Sequence, residues 1–146
     1  EWMLITTEHL GKSNTMTASW GGMGVMWNKN VVYIFVRESR YTREMLDAAD
    51  TFSLSFMGEG SRGTLKYLGA VSGRNEDKIH NARLDVSYHQ GVPFIDESDA
   101  VIICKKLSKH TLTEDGFCDP SIAENFYKDG DYHNMYIGEI TELMAR

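Results

Sequence analysis

The chain has 146 residues, of which 42% are hydrophobic and 25% are charged. This length is enough for one domain with a hydrophobic core, and the composition is typical of a globular protein rather than a disordered one. No stretch approaches the ~18 consecutive apolar residues that a transmembrane helix needs. We therefore predict a single domain over residues 1–146 and no membrane partner. The chain begins with Glu1 directly before an apolar segment, which we interpret as a trimmed N-terminus.

The net charge of −6 is unevenly distributed. Residues 1–83 carry ten Lys and Arg against nine Asp and Glu, whereas residues 84–146 carry five against twelve. Five of the seven arginines lie within residues 37–74. A positive segment in an acidic protein fits a small anionic ligand, and it lacks the broad basic face that a nucleic acid requires.

The first half of the chain combines strand-like and helical patterns. Apolar runs and alternation predict strands at 2–7, 12–20, 31–36 and 51–56, and helical spacing predicts helices at 41–49 and 61–69. Thr42 is the predicted N-cap of the first helix. The alternation of Phe52, Leu54 and Phe56 with polar residues predicts a half-buried strand. The glycine-rich residues 21–30 are predicted to form a loop.

The second half contains shorter elements. The patterns predict a polar loop at 71–78, one or two strands within 84–95 and an apolar strand at 100–107, with which residues 108–113 could pair. They also predict a helical turn at 119–127, with Pro120 in its first position, and a final strand at 135–143. Many short strands with few short helices predict a mainly β fold, a β-barrel with peripheral helices on its outside.

A buried strand at Val31–Val36 runs directly into a polar turn before a helix. Arg37, Ser39, Arg40, Tyr41 and Thr42 occupy this turn. A helix N-terminus offers free N–H groups, arginine adds a charged fork, and hydroxyls add further donors, so the turn is a candidate phosphate site. The same arginine spacing is also typical of charges on one exposed helix face. Because no nucleophile arrangement or metal-ligand spacing is visible, we expect no metal and assign the phosphate to a cofactor.

Four segments carry motifs that are informative together. They are NTMTASW at Asn14–Trp20, VRESRYT at Val36–Thr42, SGRNEDK at Ser72–Lys78 and HNMYIGEI at His133–Ile140. In this order they resemble four successive blocks of the flavin reductase-like family, with the greatest similarity to its flavoredoxin branch. The resemblance covers nearly the whole chain. It implies a split β-barrel that binds FMN, usually as a homodimer with the flavin near the dimer interface.

The resemblance also implies a role for each block. The first would line the flavin with Asn14, Met16, Thr17, Ala18, Ser19 and Trp20. The second would hold the phosphate with Arg37, Ser39, Arg40, Tyr41 and Thr42. The third would close over the cofactor with Ser72, Gly73, Arg74 and Lys78, and either Arg74 or Lys78 would add a second positive charge. His133 corresponds to a histidine that often lies near the flavin and the nicotinamide site, and it is the single candidate catalytic residue.

Each block also has an ordinary structural interpretation. The Asn14–Trp20 segment has the composition of an edge strand, the Ser72–Lys78 segment that of a surface turn, and His133 could be a core histidine.

Cys104 lies in an apolar strand and is predicted to be a buried, inert thiol, and Cys118 lies in an acidic loop that disfavours a thiolate. Two unpaired cysteines are typical of the reducing cytosol.

The sequence therefore predicts an FMN-binding oxidoreductase of the flavin reductase type. Such a protein takes hydride from NAD(P)H and passes electrons to a protein or small-molecule acceptor. Two alternatives stay open at this point. One is a flavoredoxin-like electron carrier that a protein partner reduces. The other is a non-enzymatic split-barrel module that binds haem or another anionic cofactor in the same pocket.

Overall fold

The structure, a computed structural model, describes residues 2–146. Its strands are β1 (Met3–His9), β2 (Lys12–Ala18), β3 (Gly21–Met26), β4 (Lys29–Arg37), β5 (Thr51–Phe56), β6 (Val86–His89), β7 (Val92–Ile95), β8 (Ala100–Thr111) and β9 (His133–Ala145). Its helices are α1 (Tyr41–Ala48), α2 (Arg62–Ala70), α3 (Lys78–Asn81) and α4 (Ser121–Phe126), with a 3-10 turn at Glu114–Gly116. The prediction of a mainly β fold with short helices is confirmed.

The large sheet is a barrel that is split at one seam. Seven antiparallel strands follow the order β2-β1-β5-β8-β9-β4-β3, and β6 and β7 form a separate hairpin. The edge strands β2 and β3 are joined by only two residues, Ser19 and Trp20. Because so short a link spans only about 10 Å, the sheet must curl until its two edges approach each other. The edges do not pair, so the barrel stays split, which confirms the predicted split β-barrel.

Alternation along the strands builds the barrel core. On β4 the side chains of Val32, Ile34 and Val36 are buried inside, whereas Phe35 and Arg37 face the other side. The core also contains Met3, Ile5, Met16, Leu46, Phe52, Leu54, Ile102, Cys104 and Tyr136. A second cluster packs α2, α3 and the β6–β7 hairpin against β1 through Leu4, Leu65, Leu68, Ile79 and Ile95. This second layer fixes the chain from residue 61 to residue 81, which carries one wall of the site described below.

Residues 21–30 form a hairpin rather than the predicted loop. Strand β3 pairs with β4 from Gly21↔Ile34 to Met26↔Lys29, and the turn residues Trp27 and Asn28 both have positive φ angles, 54° and 58°. Two residues with positive φ form the tight turn that matches the twist of a hairpin. The three glycines weakened the strand pattern in the sequence, because glycine has low strand propensity.

Three further predictions are corrected by the packing. Strand β5 is buried on both faces, because the hairpin β6–β7 covers its polar side: Ser53 Oγ donates to the Pro93 carbonyl at 2.6 Å. Residues 108–111 do not pair back but extend the long strand β8, which pairs with β9 through two register shifts. Pro120 occupies the N-cap position of α4 rather than the first helical position. Among residues 2–146, no helix is long and apolar enough to span a bilayer.

Candidate functional site

Two adjoining cavities lie beside the seam of the barrel, and Arg40 lines both of them. The first, of about 300 Å³, is called the aromatic cavity and is lined by Met16, Thr17, Ala18, Ser19, Trp20, Phe35, Arg37, Arg40 and His133. The second, of about 130 Å³, is called the cationic cavity and is lined by Asn14, Ser39, Arg40, Tyr41, Thr42, Ala70, Val71, Ser72, Gly73 and Lys78. Together they form a compartment with an aromatic end and a cationic end.

The fold explains why these residues meet. The end of β2 and the two-residue link at Ser19–Trp20 form one wall of the aromatic cavity, and the outward face of β4 forms another. The turn after β4 then leads into α1, whose first residues border the cationic cavity. The loop after α2 completes this second cavity. All four motif blocks therefore contribute to the two cavities. The fourth block contributes a single residue, His133, which lines the aromatic cavity.

Lys78 is the most unusual residue of the cationic cavity. Its side chain is only 2% exposed, and its ammonium group donates to the carbonyls of Leu68 (2.9 Å) and Val71 (3.2 Å). Burial, together with repulsion from Arg40, lowers the pKa of Lys78 from its ordinary 10.5 to about 8. A buried ammonium group is costly unless a negative charge compensates it. The residue is therefore suited to bind an anion.

Arg40 lies beside Lys78 and is half-buried. Its guanidinium donates to the Gly69 carbonyl at 3.0 Å, and burial lowers its pKa from the usual value although a guanidinium stays charged in proteins. Within residues 2–146 neither Arg40 nor Lys78 forms an ion pair with a carboxylate. Two neighbouring cations without an acidic partner create a strong local preference for an anion such as a phosphate.

Close packing of three segments shapes the floor of the cationic cavity. Asn14 is buried, and its Nδ2 donates to Thr42 Oγ1 at 2.9 Å. A Cβ atom on Gly73 would overlap Asn14 Oδ1 and would lie 3.0 Å from Tyr41 Cδ2, so a side chain there would displace the buried Asn14 or the loop. Thr42 is not the N-cap of α1, since Arg40 holds that position without a capping side chain. The hydroxyl of Thr42 instead ties α1 to β2.

Arg37 and Ser39, two of the predicted phosphate ligands, form hydrogen bonds with the segment between β8 and β9. Arg37 Nη1 donates to the carbonyls of Asp131 (2.7 Å) and Phe126 (3.2 Å), and Arg37 lines the aromatic rather than the cationic cavity. Ser39 donates through its hydroxyl and its backbone N–H to the Asp131 carboxylate, at 2.5 and 3.0 Å. Both residues therefore anchor the segment that connects β8 to β9.

Arg74 lies outside both cavities. Its guanidinium pairs with Glu44 and lies 5.1 Å from the centre of the Tyr41 ring. The second positive charge of the cationic cavity comes from Lys78, which was the other candidate. The loop sequence contains both residues, and only the packing of α3 decides which of them turns inward.

His133 closes the inner end of the aromatic cavity. It is 9% exposed, its ring centre lies 4.8 Å from that of Trp20, and its Nδ1 shares a hydrogen bond of 2.7 Å with the Tyr127 hydroxyl. Burial lowers the pKa of His133 to about 4, with a further contribution from Arg37. The imidazole is therefore neutral near pH 7, when it can donate one hydrogen bond but carries no charge.

Sequence reasoning missed several residues of the site. Phe35 lines the aromatic cavity, and its position on the same face of β4 as Arg37 was a signal in the alternation of that strand. Ala70 and Val71 line the cationic cavity. Tyr127 bonds to His133 of the aromatic cavity, and Asp131 bonds to Ser39 of the cationic cavity. These four residues have no local sequence signal, because they reach the site only through the packing of distant segments.

The described residues include two free cysteines, one buried and one exposed. Cys104 is fully buried, and burial raises the pKa of its thiol to about 12, which confirms the prediction of a buried, inert thiol. Cys118 is exposed. Between residues 2 and 146, no group of three or more His, Cys, Asp and Glu side chains is arranged to hold a metal ion.

Comparison with known proteins gives a consistent result. The profile of the flavin reductase like domain matches residues 1–146. The chain is similar to a flavoredoxin from Methanosarcina acetivorans, with 24% identity, a TM-score of 0.77 and coverage of 99% of this chain and 68% of that one. It is also similar to an FMN-binding protein from Thermus thermophilus, with 23% identity, a TM-score of 0.77 and coverage of 99% and 71%.

A third similar structure is an NADH:FAD oxidoreductase from Streptomyces globisporus, with 18% identity, a TM-score of 0.73 and coverage of 99% of this chain and 75% of that one. At these identities the solved structures show a common fold. No curated protein matches the chain.

Proposed function

Because the chain belongs to the flavin reductase-like domain family, we propose that it binds FMN across its two cavities and acts as an NAD(P)H-dependent oxidoreductase. The observation that carries the proposal is the pair of cations Arg40 and Lys78, which lack an acidic partner among residues 2–146. They would hold the phosphate of the cofactor in the cationic cavity. The family relationship and the FMN-binding relative of similar fold support this choice of cofactor.

The aromatic cavity fits the ring system of a flavin. Its walls combine flat apolar groups, Trp20 and Phe35, with the backbone and hydroxyls of the Thr17–Ser19 segment. A flavin ring has apolar faces and a polar edge of carbonyls and nitrogens, so both kinds of wall have a partner on the ligand. Arg40 lines both cavities, which supports the proposal that the phosphate and the ring of one cofactor occupy them side by side.

Bound FMN would supply the redox chemistry, accepting hydride from NAD(P)H and passing two electrons to a protein or small-molecule acceptor. The protein would bind and orient the ring, and His133 would lie near it as a neutral hydrogen-bond donor. No charged acid or base of the described site is needed for hydride transfer. An electron carrier of the flavoredoxin type would use the same cavities but would be reduced by a protein partner.

The test is a titration of flavin-stripped protein with FMN and with riboflavin, followed by fluorescence quenching. Arg40→Ala removes a charged donor, so we expect FMN affinity to fall about ten- to 100-fold while riboflavin affinity changes little, since riboflavin lacks the phosphate. Arg43→Ala is the matched control, because Arg43 is bound to Glu38 and Asp47 on the exposed side of α1. An equal loss for both ligands would contradict the phosphate role of Arg40.

A second measurement separates the candidate activities. Steady-state oxidation of NADH or NADPH by the FMN-loaded protein would support the reductase. FMN binding without nicotinamide oxidation would favour the electron carrier. Tight binding of haem with no flavin binding would favour the non-enzymatic module.

We also propose a homodimer in the cytosol. The edge strand β3 presents Met23 (65% exposed) and Val25 (73% exposed) beside an unpaired backbone edge, with Trp27 at its tip. Unprotected apolar edges of this kind are favourable surfaces for pairing with a second chain. The family resemblance supports a dimer, and the two unpaired cysteines support a reducing compartment.

A further inference from the structure

The segment that connects β8 to β9 contains a tyrosine whose ring is held on several sides. Tyr127 is 6% exposed and stacks on Phe117, with ring centres 5.6 Å apart and planes at 9°. Its ring also lies 5.0 Å from that of Tyr132 and 5.3 Å from the guanidinium carbon of Arg37. Arg37 in turn binds the Phe126 and Asp131 carbonyls on either side of this tyrosine. The Tyr127 hydroxyl is therefore held in one place.

That hydroxyl bonds to His133 Nδ1 at 2.7 Å and has no other hydrogen-bond partner within residues 2–146. A neutral imidazole has one N–H donor and one bare acceptor nitrogen. If Nδ1 carried the proton, the buried phenolic O–H would have no acceptor, at a cost of the order of a lost hydrogen bond. If the hydroxyl donates to Nδ1, both groups are satisfied. The geometry therefore favours a bare Nδ1 and a protonated Nε2.

His133 Nε2 is the nitrogen that remains available to a ligand. It has no hydrogen-bond partner among the described residues, and it is not among their buried unpaired atoms, so it is accessible through the aromatic cavity that His133 lines. The charged groups nearest to the imidazole are Arg37 and Asp131, and its remaining neighbours are the rings of Trp20, Phe35 and Tyr127. None of these groups competes for Nε2.

We propose that Tyr127 is a positioning residue, which fixes His133 in the Nε2–H tautomer so that a neutral hydrogen-bond donor faces the ligand in the aromatic cavity. This inference rests on the proposed function for the identity of that ligand, a flavin ring, but not for the tautomer itself. A neutral hydrogen-bond donor in this cavity would stabilise the negative charge that reduction adds to a bound flavin. Tyr127 would therefore bias the site toward the reduced cofactor without touching it.

The first test uses the flavin-free protein. Long-range ¹H–¹⁵N correlation spectra of histidine-labelled protein at pH 7 distinguish the two tautomers directly. We expect His133 to be in the Nε2–H form in the wild type, and Tyr127→Phe to convert it to a mixture. Tyr132→Phe is the matched control, since it removes a hydroxyl from the same aromatic group that does not bond to His133. An Nδ1–H tautomer in the wild type, or an unchanged spectrum in Tyr127→Phe, would overturn the proposal.

The second test uses the FMN-loaded protein. The ratio of the affinities for reduced and oxidised FMN, obtained from the midpoint potential of the bound flavin, should fall in Tyr127→Phe in proportion to the lost Nε2–H population, about twofold for an even mixture of tautomers, with no change in Tyr132→Phe. A change confined to overall affinity, with the same ratio, would show a merely structural role and would contradict the proposal. Failure of the chain to bind FMN would end the proposed function, whereas the tautomer of the flavin-free protein would still be decided by the first test.

Discussion

Lys78 keeps its ammonium group almost completely out of water, with two backbone carbonyls as its hydrogen-bond partners in the described part of the chain. Burial out of water is the main reason why the pKa of Lys78 falls to about 8, and repulsion from Arg40 lowers it further, whereas the negative charge of Glu76 partly opposes the fall. A dianionic phosphate in the same cavity would restore the missing negative charge. Binding and protonation of this lysine are consequently linked.

The sign of the linkage determines the pH dependence. Burial lowers the pKa of Lys78 in the free folded protein from 10.5 to about 8, and a bound phosphate raises it again, because the anion favours the charged form. Below pH 8 the lysine is charged in both the free protein and the complex, so its protonation does not make FMN affinity depend on pH. Above pH 8 the free protein has lost the proton that the complex retains, so FMN affinity should fall by up to about tenfold per pH unit.

The measurement is a set of FMN and riboflavin titrations between pH 7 and 9.5, a range in which the phosphate stays dianionic. Riboflavin affinity should lack the Lys78-dependent fall. Lys78→Met, which keeps a chain of similar length, should bind FMN more weakly at pH 7 and should lose the slope. A wild-type FMN profile that matches the riboflavin profile would rule out a role for Lys78 in binding phosphate.

The loop between α2 and α3 is the element that brings Lys78 and Gly73 to the site. It packs directly on β2, where Lys12 Nζ donates to the Gly73 carbonyl at 3.1 Å, and the position that a Cβ on Gly73 would take is occupied by Asn14 of β2 and Tyr41 of α1. The loop is therefore packed in a fixed position on the sheet and is not an independent surface turn. Its position depends on the absence of a side chain at residue 73.

Gly73→Ala tests whether this packing of the loop on β2 is needed for FMN binding. A methyl group there would overlap Asn14 Oδ1, so the loop must move away from β2. We expect a loss of about 1–3 kcal/mol in the free energy of unfolding and about a tenfold loss of FMN affinity, measured by denaturant unfolding and by titration. Gly63→Ala in α2 is the control, because no atom lies within 4 Å of its Cβ position, and it should leave both quantities near the wild-type values or slightly raise stability. Wild-type FMN affinity in Gly73→Ala would contradict the proposed role of this packing position.

The edge strand β3 leaves apolar side chains exposed beside unpaired backbone groups. An alternating strand normally turns its apolar side chains inward, yet Met23 and Val25 remain exposed on a strand whose outer backbone groups are unpaired. The seam between β2 and β3 and the aromatic cavity lie at the base of the same hairpin. A second chain that covered β3 would therefore approach the mouth of the site.

Sedimentation experiments test the proposed dimer. The wild type should sediment at about twice the chain mass of 16.6 kDa, and Val25→Lys should shift it toward the monomer by placing a charge on the apolar edge. Leu143→Lys is the matched control, because Leu143 is equally exposed (68%) but lies on β9 away from the seam edge. A monomeric wild type at high micromolar concentration would refute the homodimer, and a monomer from the control variant would refute the choice of interface.

The sequence by itself determined the fold class and predicted most of the residues that line the two cavities. Apolar runs identified β1 and β4, and alternation identified β5 and the first part of β8, because both patterns are local properties of the sequence. The motif blocks identified fifteen cofactor candidates and His133, and within the structure all of these except Arg74 line one of the two cavities. Their assignment as cofactor ligands stays a prediction until the titrations are made.

The tertiary structure alone decided which charges are free. Arg37 and Ser39 are engaged by Asp131, more than 90 residues away, whereas Lys78 is turned inward toward Arg40 without a carboxylate partner. The hairpin at β3, the covered outer face of β5 and the contact of Tyr127 with His133 were also decided at this level. Local sequence patterns indicate which residue types a strand or a turn needs. The hydrogen bonds and the burial of a side chain depend instead on which distant segment packs against it, and only the packing of the barrel determines that segment.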